Sequence, residues 1–307
     1  MVKKWDFLIV IGIALIGIVV GSFIDLQISQ HLYFPNNTFG VVFAGLGEAP
    51  GYAAFSFVAT LALLLGIKSY HRWFQKVPLI LFGAAGIVLS IYFQADHMVC
   101  VDGFNIPSLW YVGVIVAAII SAVGVLFGIY VFKNSKAENL IFYVVTLCFI
   151  IIVAILLVQG VKIIMQRPRF RFLISEEGSL EYFCSWWQRG HDVKIAFPDI
   201  ASDEFKSFPS GHTNVGALLI PVVAYLPTMC EKIKVNARIL FYGAFVYTLV
   251  LAVSRITVAA HFLTDVSFGI LFTALVYFAF DILFTKCKKP AQIVNTIFAD
   301  KQSEPSK

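Results

Sequence analysis

The chain is organised as long apolar runs broken by short polar stretches. The runs cover roughly residues 5–24, 51–67, 77–94, 108–132, 139–161, 213–230, 238–258 and 262–285. Each is about long enough to cross a ~30 Å hydrocarbon core, with the second and third near the minimum. The last two need an argument, because Ile239 to Phe280 contains no proline and little polarity. A single helix over that stretch would be ~63 Å long, about twice the core. The pattern therefore predicts two passes with a tight reversal near Val258–Ala260. The expected fold is an all-α polytopic bundle of about eight transmembrane helices.

Composition agrees with this reading. Hydrophobic residues make up 59% of the 307 residues, charged residues only 13%, and the mean hydropathy is +0.85. Those values exclude an ordinary soluble domain. The 30 Phe and 12 Tyr suit lipid-facing helices and interfacial belts. A net charge of +5 is modest, and cytoplasmic loop charge accounts for it without nucleic-acid binding. The five cysteines show no Cys-x-x-Cys pairing, so no zinc site is expected.

Loop charge supports the count of passes independently. With the N-terminus placed in the cytoplasm, the inside segments hold fifteen of the 23 basic residues, from Lys3 and Lys4 to Lys301 and Lys307. The outside segments 25–50 and 95–107 hold none and carry Asp25, Glu48, Asp96 and Asp102 instead. Both termini are then expected inside. The first run follows Lys3 and Lys4 without an Ala-x-Ala cleavage pattern, so it reads as a retained anchor.

The other basic residues break the rule. Lys162, Arg167, Arg169, Arg171, Arg189, Lys194 and Lys206 share one outer loop, and Arg255 sits at the last reversal. Long loops translocate regardless of charge, which covers Arg189, Lys194 and Lys206. It does not cover the group at 162–171 or Arg255, which abut helix ends. The loop 162–212 is too long for a connector and contains Trp186 and Trp187, so it is expected to lie on the membrane surface or to cap a site.

Three polar clusters fall on that side. The first runs from Lys162 to Phe170. The second is Phe208-Pro209-Ser210-Gly211-His212-Thr213, at the start of the sixth run. The third is Ser254-Arg255 through His261 to Asp265. A helix start with a serine and a glycine offers free N–H groups to an anion. Several fixed cations bind a phosphate oxyanion and stabilise charge that develops during its transfer. Two histidines allow one nucleophile or base and one acid near neutral pH. His261 and Asp265 are four apart, which predicts a shared helical face and a carboxylate that fixes the imidazole tautomer. Taken singly, each residue has a bland reading, such as a snorkelling anchor or a helix cap. Polar groups gathered at three helix ends on one face argue for a site, and against a transporter built around broken helices at mid-span.

These clusters resemble the signature of the type 2 phosphatidic acid phosphatase superfamily, the integral-membrane lipid phosphatases related to vanadium-dependent haloperoxidases. The pattern is Lys-x6-Arg-Pro, then Pro-Ser-Gly-His, then Ser-Arg-x5-His-x3-Asp. Lys162 and Arg169 have the first spacing, Pro209 to His212 complete the second motif, and Ser254, Arg255, His261 and Asp265 complete the third. The resemblance covers roughly residues 140–285. Phe170 stands where the pattern has proline, and the family's common core has six helices rather than eight.

The resemblance implies a metal-independent phosphomonoesterase or diphosphatase with no cofactor. His261 would be the nucleophile, His212 the acid for the leaving oxygen, and Asp265 the orienting carboxylate. Lys162, Arg169, Ser210, Gly211 and Arg255 would bind the phosphoryl oxygens, with Arg167 and Arg171 behind them. The implied substrate is a lipid phosphate or polyprenyl diphosphate; loop charge puts the site at the outer face, and the expected membrane is a bacterial plasma membrane. The alternatives are a lipid phosphotransferase or a phosphatase for a soluble ester. One membrane domain is expected over 1–288, with a polar tail at 289–307. A Cys100–Cys184 disulfide and a sequon at Asn36-Asn37-Thr38 complete the expectations for the outer face.

Overall fold

The computed structural model describes residues 2–35, 37–68, 73–101, 104–105 and 110–286. The tail 289–307, Asn36 of the sequon and the side chain of Cys100 lie outside that set. Cys184 carries a free thiol.

The long helices are α1 (Lys4–Leu32), α3 (Ala49–Lys68), α4 (Trp73–Val99), α5 (Trp110–Lys133), α6 (Ala137–Met165), α9 (Gly211–Met229), α10 (Ala237–Thr257) and α11 (Leu263–Phe280). Short α2 (Thr38–Leu46) leads into α3, and α7 (Phe170–Leu173) and α8 (His191–Ala196) lie in the loop after α6. A two-residue ladder pairs β1 (Cys100–Val101) with β2 (Phe104–Asn105). The eight expected passes are all helices. Among the described residues, seven spans are long and apolar enough to cross a membrane, as an integral membrane protein requires. The eighth helix, α9, is not among them. It packs against α3, α6, α10 and α11 and faces protein on most sides. A helix so enclosed can carry Pro221, Pro227 and buried Asn214, whose amide donates to Thr273 Oγ1 at 2.7 Å. It has no need of a lipid-facing apolar surface.

Helix α2 was not legible as a separate element. It occupies part of the segment read as an outer loop, and Asn37 caps it by accepting from the Gly40 N–H. The last two passes separate as expected. α10 stops at Thr257, α11 starts at Leu263, and Ala259 between them takes a left-handed φ of 59°.

Two subassemblies meet along α9. Helices α3, α4 and α5 pack together through glycines and a buried hydroxyl triad. Ser121 Oγ lies 3.0 Å from both Ser56 Oγ and Ser90 Oγ. Such bonds join helices where apolar side chains gain nothing by leaving lipid. The other group holds α1, α6, α10 and α11. At one end of it Asp6 on α1 takes a forked pair of bonds from Arg238, 2.7–3.1 Å, and one from Tyr242 at 2.7 Å. The opposite end gathers the acidic and basic residues of interest.

Candidate active site

Each element of the site is placed by backbone bonds between loops and helix starts. The first turn of α9 is pinned to the first turn of α11, because the Ser210 N–H donates to the Asp265 carbonyl at 3.0 Å and Thr213 Oγ1 to the Val266 carbonyl at 3.2 Å. The contact is tight. A Cβ at Gly269 would stand 2.2 Å from Thr213 Oγ1 and 2.6 Å from the Ser210 carbonyl, so only glycine allows the approach. Upstream, Gln166 turns the chain out of α6 with φ 48°, and the Ser207 N–H donates to the Arg167 carbonyl at 3.0 Å. The loop 162–212 thus returns onto the bundle instead of lying apart. Trp186 anchors it, donating to Ser22 Oγ at 2.9 Å and packing its ring on Phe268.

His261 is the most constrained group. It is 1% exposed, and Nδ1 lies 2.7 Å from the Ser207 carbonyl, which makes Nδ1 the protonated nitrogen. Nε2 is buried and has no hydrogen-bonding partner among the described residues. Asp265 Oδ2 is 3.7 Å from Nδ1, an electrostatic rather than a hydrogen-bonded contact. The shared helical face expected for this pair is not present. His261 precedes Phe262, the N-cap of α11, and only Asp265 lies in the helix. The Asp265 carboxylate is taken up elsewhere: Oδ2 accepts from the Phe262 N–H at 2.8 Å and from the Ser207 hydroxyl, and Oδ1 from Arg167. Burial pushes the His261 pKa down to about 4, Arg169 and Lys162 act in the same direction, and Asp265 opposes them. The ring is therefore neutral at neutral pH, with the Nε2 lone pair unengaged.

The other expected residues divide into two groups. Lys162, on the last turn of α6, donates to the Lys206 carbonyl at 3.0 Å, and its Nζ lies 3.7 Å from the Cβ position of Gly211. The His212 ring centroid is 6.1 Å from that of His261. Arg169 joins this group but is held by Asp203, Nη2 to Oδ2 2.5 Å and Nε to the backbone carbonyl 2.9 Å. Burial raises the Asp203 pKa, but Arg169 and Lys162 more than offset that and leave it below the usual carboxylate value. Ser210 Oγ caps α9, accepting from Thr213 N at 3.4 Å, and Gly211 is the first helical residue.

Arg167 and Arg171 serve the framework. Arg167 is 0% exposed and reaches Asp265, Asp25, Thr264 and the Cys184 carbonyl within 2.6–2.9 Å, with Phe262 stacked 4.1 Å away. Arg171 forks onto Glu204 at 2.7–3.0 Å. Arg255 is fully buried and donates to the Gly40 carbonyl of α2 at 3.1 Å.

Residues 143–288 match the family model of the PAP2 superfamily. That stretch belongs to this superfamily. It is a superfamily of phosphatases acting on phosphate esters. No curated protein and no solved structure matches the chain. The matched PAP2 stretch begins within α6 and takes in α9, α10 and α11, so every residue of the three clusters lies inside it. Phe170, which replaces the motif proline, is the first residue of α7. That position suits proline because its N–H has no intrahelical partner, so the exchange leaves the backbone intact. The Phe170 ring packs instead against Tyr33 and Phe262.

Five residues lie outside the specified positions of the PAP2 motifs: Asp25, Ser207, Thr264, Glu48 and His97. Asp25 and Glu48 had a visible signal, as acidic residues at the ends of apolar runs. Ser207 had none, because its carbonyl does the holding.

Proposed function

We propose that the protein is a membrane phosphatase that hydrolyses a lipid phosphate or polyprenyl diphosphate through a phosphohistidine, without a metal ion. The observation that carries the reading is the state of His261: Nδ1 fixed by the Ser207 carbonyl, Nε2 buried and unengaged, with Lys162, Arg169 and His212 around it. Nε2 attacks phosphorus. As the P–N bond forms, the P–O bond to the leaving group breaks, and the oxygen keeps the electron pair and takes a proton from His212. Water then attacks the phosphohistidine, His212 accepts its proton, and the P–N electron pair returns to Nε2. Lys162, Arg169, Arg255 and the α9 N-terminus, with Ser210 and Gly211, hold the phosphoryl oxygens and stabilise their charge. Asp203 must give way to the incoming phosphate at Arg169.

The position of the site at the ends of the helices suits a headgroup at a bilayer surface with its chains in the apolar region. On the loop charge, both termini face the cytoplasm and the site faces outward, which fits a bacterial plasma membrane with the lipid bilayer as its immediate partner. The membrane unit extends over 1–288.

The test is phosphate release in detergent from a panel of lipid phosphates, diphosphates and soluble esters, with EDTA present throughout. Release from lipid substrates, its loss in folded His261→Ala protein, and a radiolabelled acid-labile adduct on quenching are the expected results. Loss of activity with EDTA refutes metal independence, and near-normal turnover by His261→Ala refutes the nucleophile. Transfer of label to an added acceptor lipid makes the enzyme a phosphotransferase on the same intermediate.

A further inference from the structure

Helices α1–α5 precede the matched stretch, yet they put a second pair of polar side chains beside His212. Glu48, between α2 and α3, is 1% exposed. One of its oxygens, Oε2, meets Nδ1 of His97 from the last turn of α4 in a short hydrogen bond. The other, Oε1, is buried with no hydrogen-bonding partner among the described residues. The His97 ring stacks on His212 with centroids 5.2 Å apart and planes 14° apart. A carboxylate oxygen of Glu48 and one ring nitrogen each of His97 and His212 all lie within 4.8 Å of one another.

The placement is built by the fold. A Cβ at Gly51 would stand 2.6 Å from the Val215 carbonyl, so the first turn of α3 is pressed onto the first turn of α9. Tyr247 on α10 donates to the Gly47 carbonyl at 2.8 Å and fixes the residue before Glu48. Tyr52 packs edge-on against His97 at 6.1 Å. A buried carboxylate at a membrane helix end is costly unless it acts on a nearby cation. Among the groups that act most strongly on His212, Glu48 favours a positive charge on its ring, while burial, Arg255, His97 and His261 oppose one.

We infer that Glu48 and His97 are positioning residues for His212: the stacked His97 ring orients its imidazole toward the leaving-group oxygen, and the Glu48 carboxylate offsets the positive charge it carries as proton donor. This rests on the phosphatase reading above. No net proton passes through the pair: His212 gives its proton to the leaving oxygen and regains one from the attacking water. A metal ion held by the same three residues is the competing use of the cluster. Tetrahedral zinc ligands stand roughly 3.3 Å apart, whereas the Glu48–His97 contact is a direct hydrogen bond shorter than that.

The test exploits leaving-group dependence. A general acid matters for an alkoxide leaving group and hardly at all for a stable phenolate. Glu48→Gln and His97→Gln are compared with wild type on dioctanoylglycerol phosphate and on 2,4-dinitrophenyl phosphate, with folding checked by gel filtration in detergent. The expected result is a loss of about tenfold or more in kcat/KM, which reports the phosphorylation step alone, on the lipid ester and less than about twofold on the aryl ester. Should Glu48→Gln fail to fold, the same split in His97→Gln carries the inference. Equal losses on both esters, or one equivalent of tightly bound zinc in the purified protein, overturn it. Wild-type protein that hydrolyses neither ester overturns the phosphatase reading and this inference with it.

Discussion

Arg167 and Asp265 form a fully buried ion pair, Nη1 to Oδ1 2.6 Å, with both side chains 0% exposed. The same guanidinium takes Asp25 from α1 at 2.9 Å, so two carboxylates share one cation. Thr264 stands between them, its hydroxyl donating to Asp25 and its N–H reaching Asp25 Oδ1 at 3.0 Å. The pair therefore ties α1, the loop after α6 and the start of α11 together directly behind His261.

Removing the guanidinium strands two buried carboxylates. Arg167→Met is expected to cost about 3–5 kcal/mol, the usual consequence of breaking a buried pair from one side. Thermal unfolding in detergent, followed with wild type under the same conditions, checks this. Arg171→Met, whose partner Glu204 is partly exposed, is the control and should cost about 1 kcal/mol or less. Similar losses in the two variants would contradict the framework role of Arg167.

His261 makes a pH prediction. Its pKa lies at about 4 because the ring is buried near Arg169 and Lys162. The attacking form is neutral, so protonation disables it only as pH falls through about 4, well below the 6.5 of a free histidine. Replacing Lys162 with Met removes a nearby cation and should move the midpoint upward. Replacing Asp265 with Asn removes the opposing carboxylate and should move it downward. Imidazole Cε1–H NMR titration, with His261→Ala for assignment, reads the midpoint directly. A value near 6.5 in the folded protein contradicts the placement.

The passes were readable because spanning helices are long and apolar, and because Ile239 to Phe280 is too long for one helix. The family motifs were readable because their spacing is fixed in sequence. Other features were written in three dimensions only. α2 hid in a segment that looked like a loop, since nine residues do not stand out beside twenty. The expected His261–Asp265 helical face failed because spacing cannot reveal where α11 begins. Asp25 and Glu48 were visible as loop charge, but nothing local shows that one meets Arg167 and the other His97.

Asp203 occupies Arg169 in the structure, with its side chain 57% exposed. An incoming phosphate has to displace that carboxylate. Asp203→Asn keeps the shape and removes the charge. The expected gain is that of a partly exposed ion pair, about 0.2–1 kcal/mol, or up to roughly fivefold tighter inhibition by inorganic phosphate. Weaker inhibition would show that Asp203 assists phosphate binding instead of competing with it.

Ser207 separates two ways of orienting His261. Its carbonyl takes Nδ1 at 2.7 Å, and its hydroxyl donates to Asp265 Oδ2. Ser207→Ala removes the second bond and leaves the first. Losing a hydrogen bond to a buried carboxylate should cost about 1.5–3 kcal/mol of stability. If the carbonyl sets the tautomer, kcat should fall by less than about tenfold, the equivalent of roughly 1.4 kcal/mol in the barrier. Were the carboxylate the chief orienting group, freeing Oδ2 from Ser207 would let it close the 3.7 Å gap to Nδ1 and raise the His261 pKa. Measuring kcat and the His261 midpoint on the same variant decides between them. Near-normal turnover with an unmoved midpoint assigns the tautomer to the Ser207 carbonyl, and a raised midpoint assigns it to Asp265.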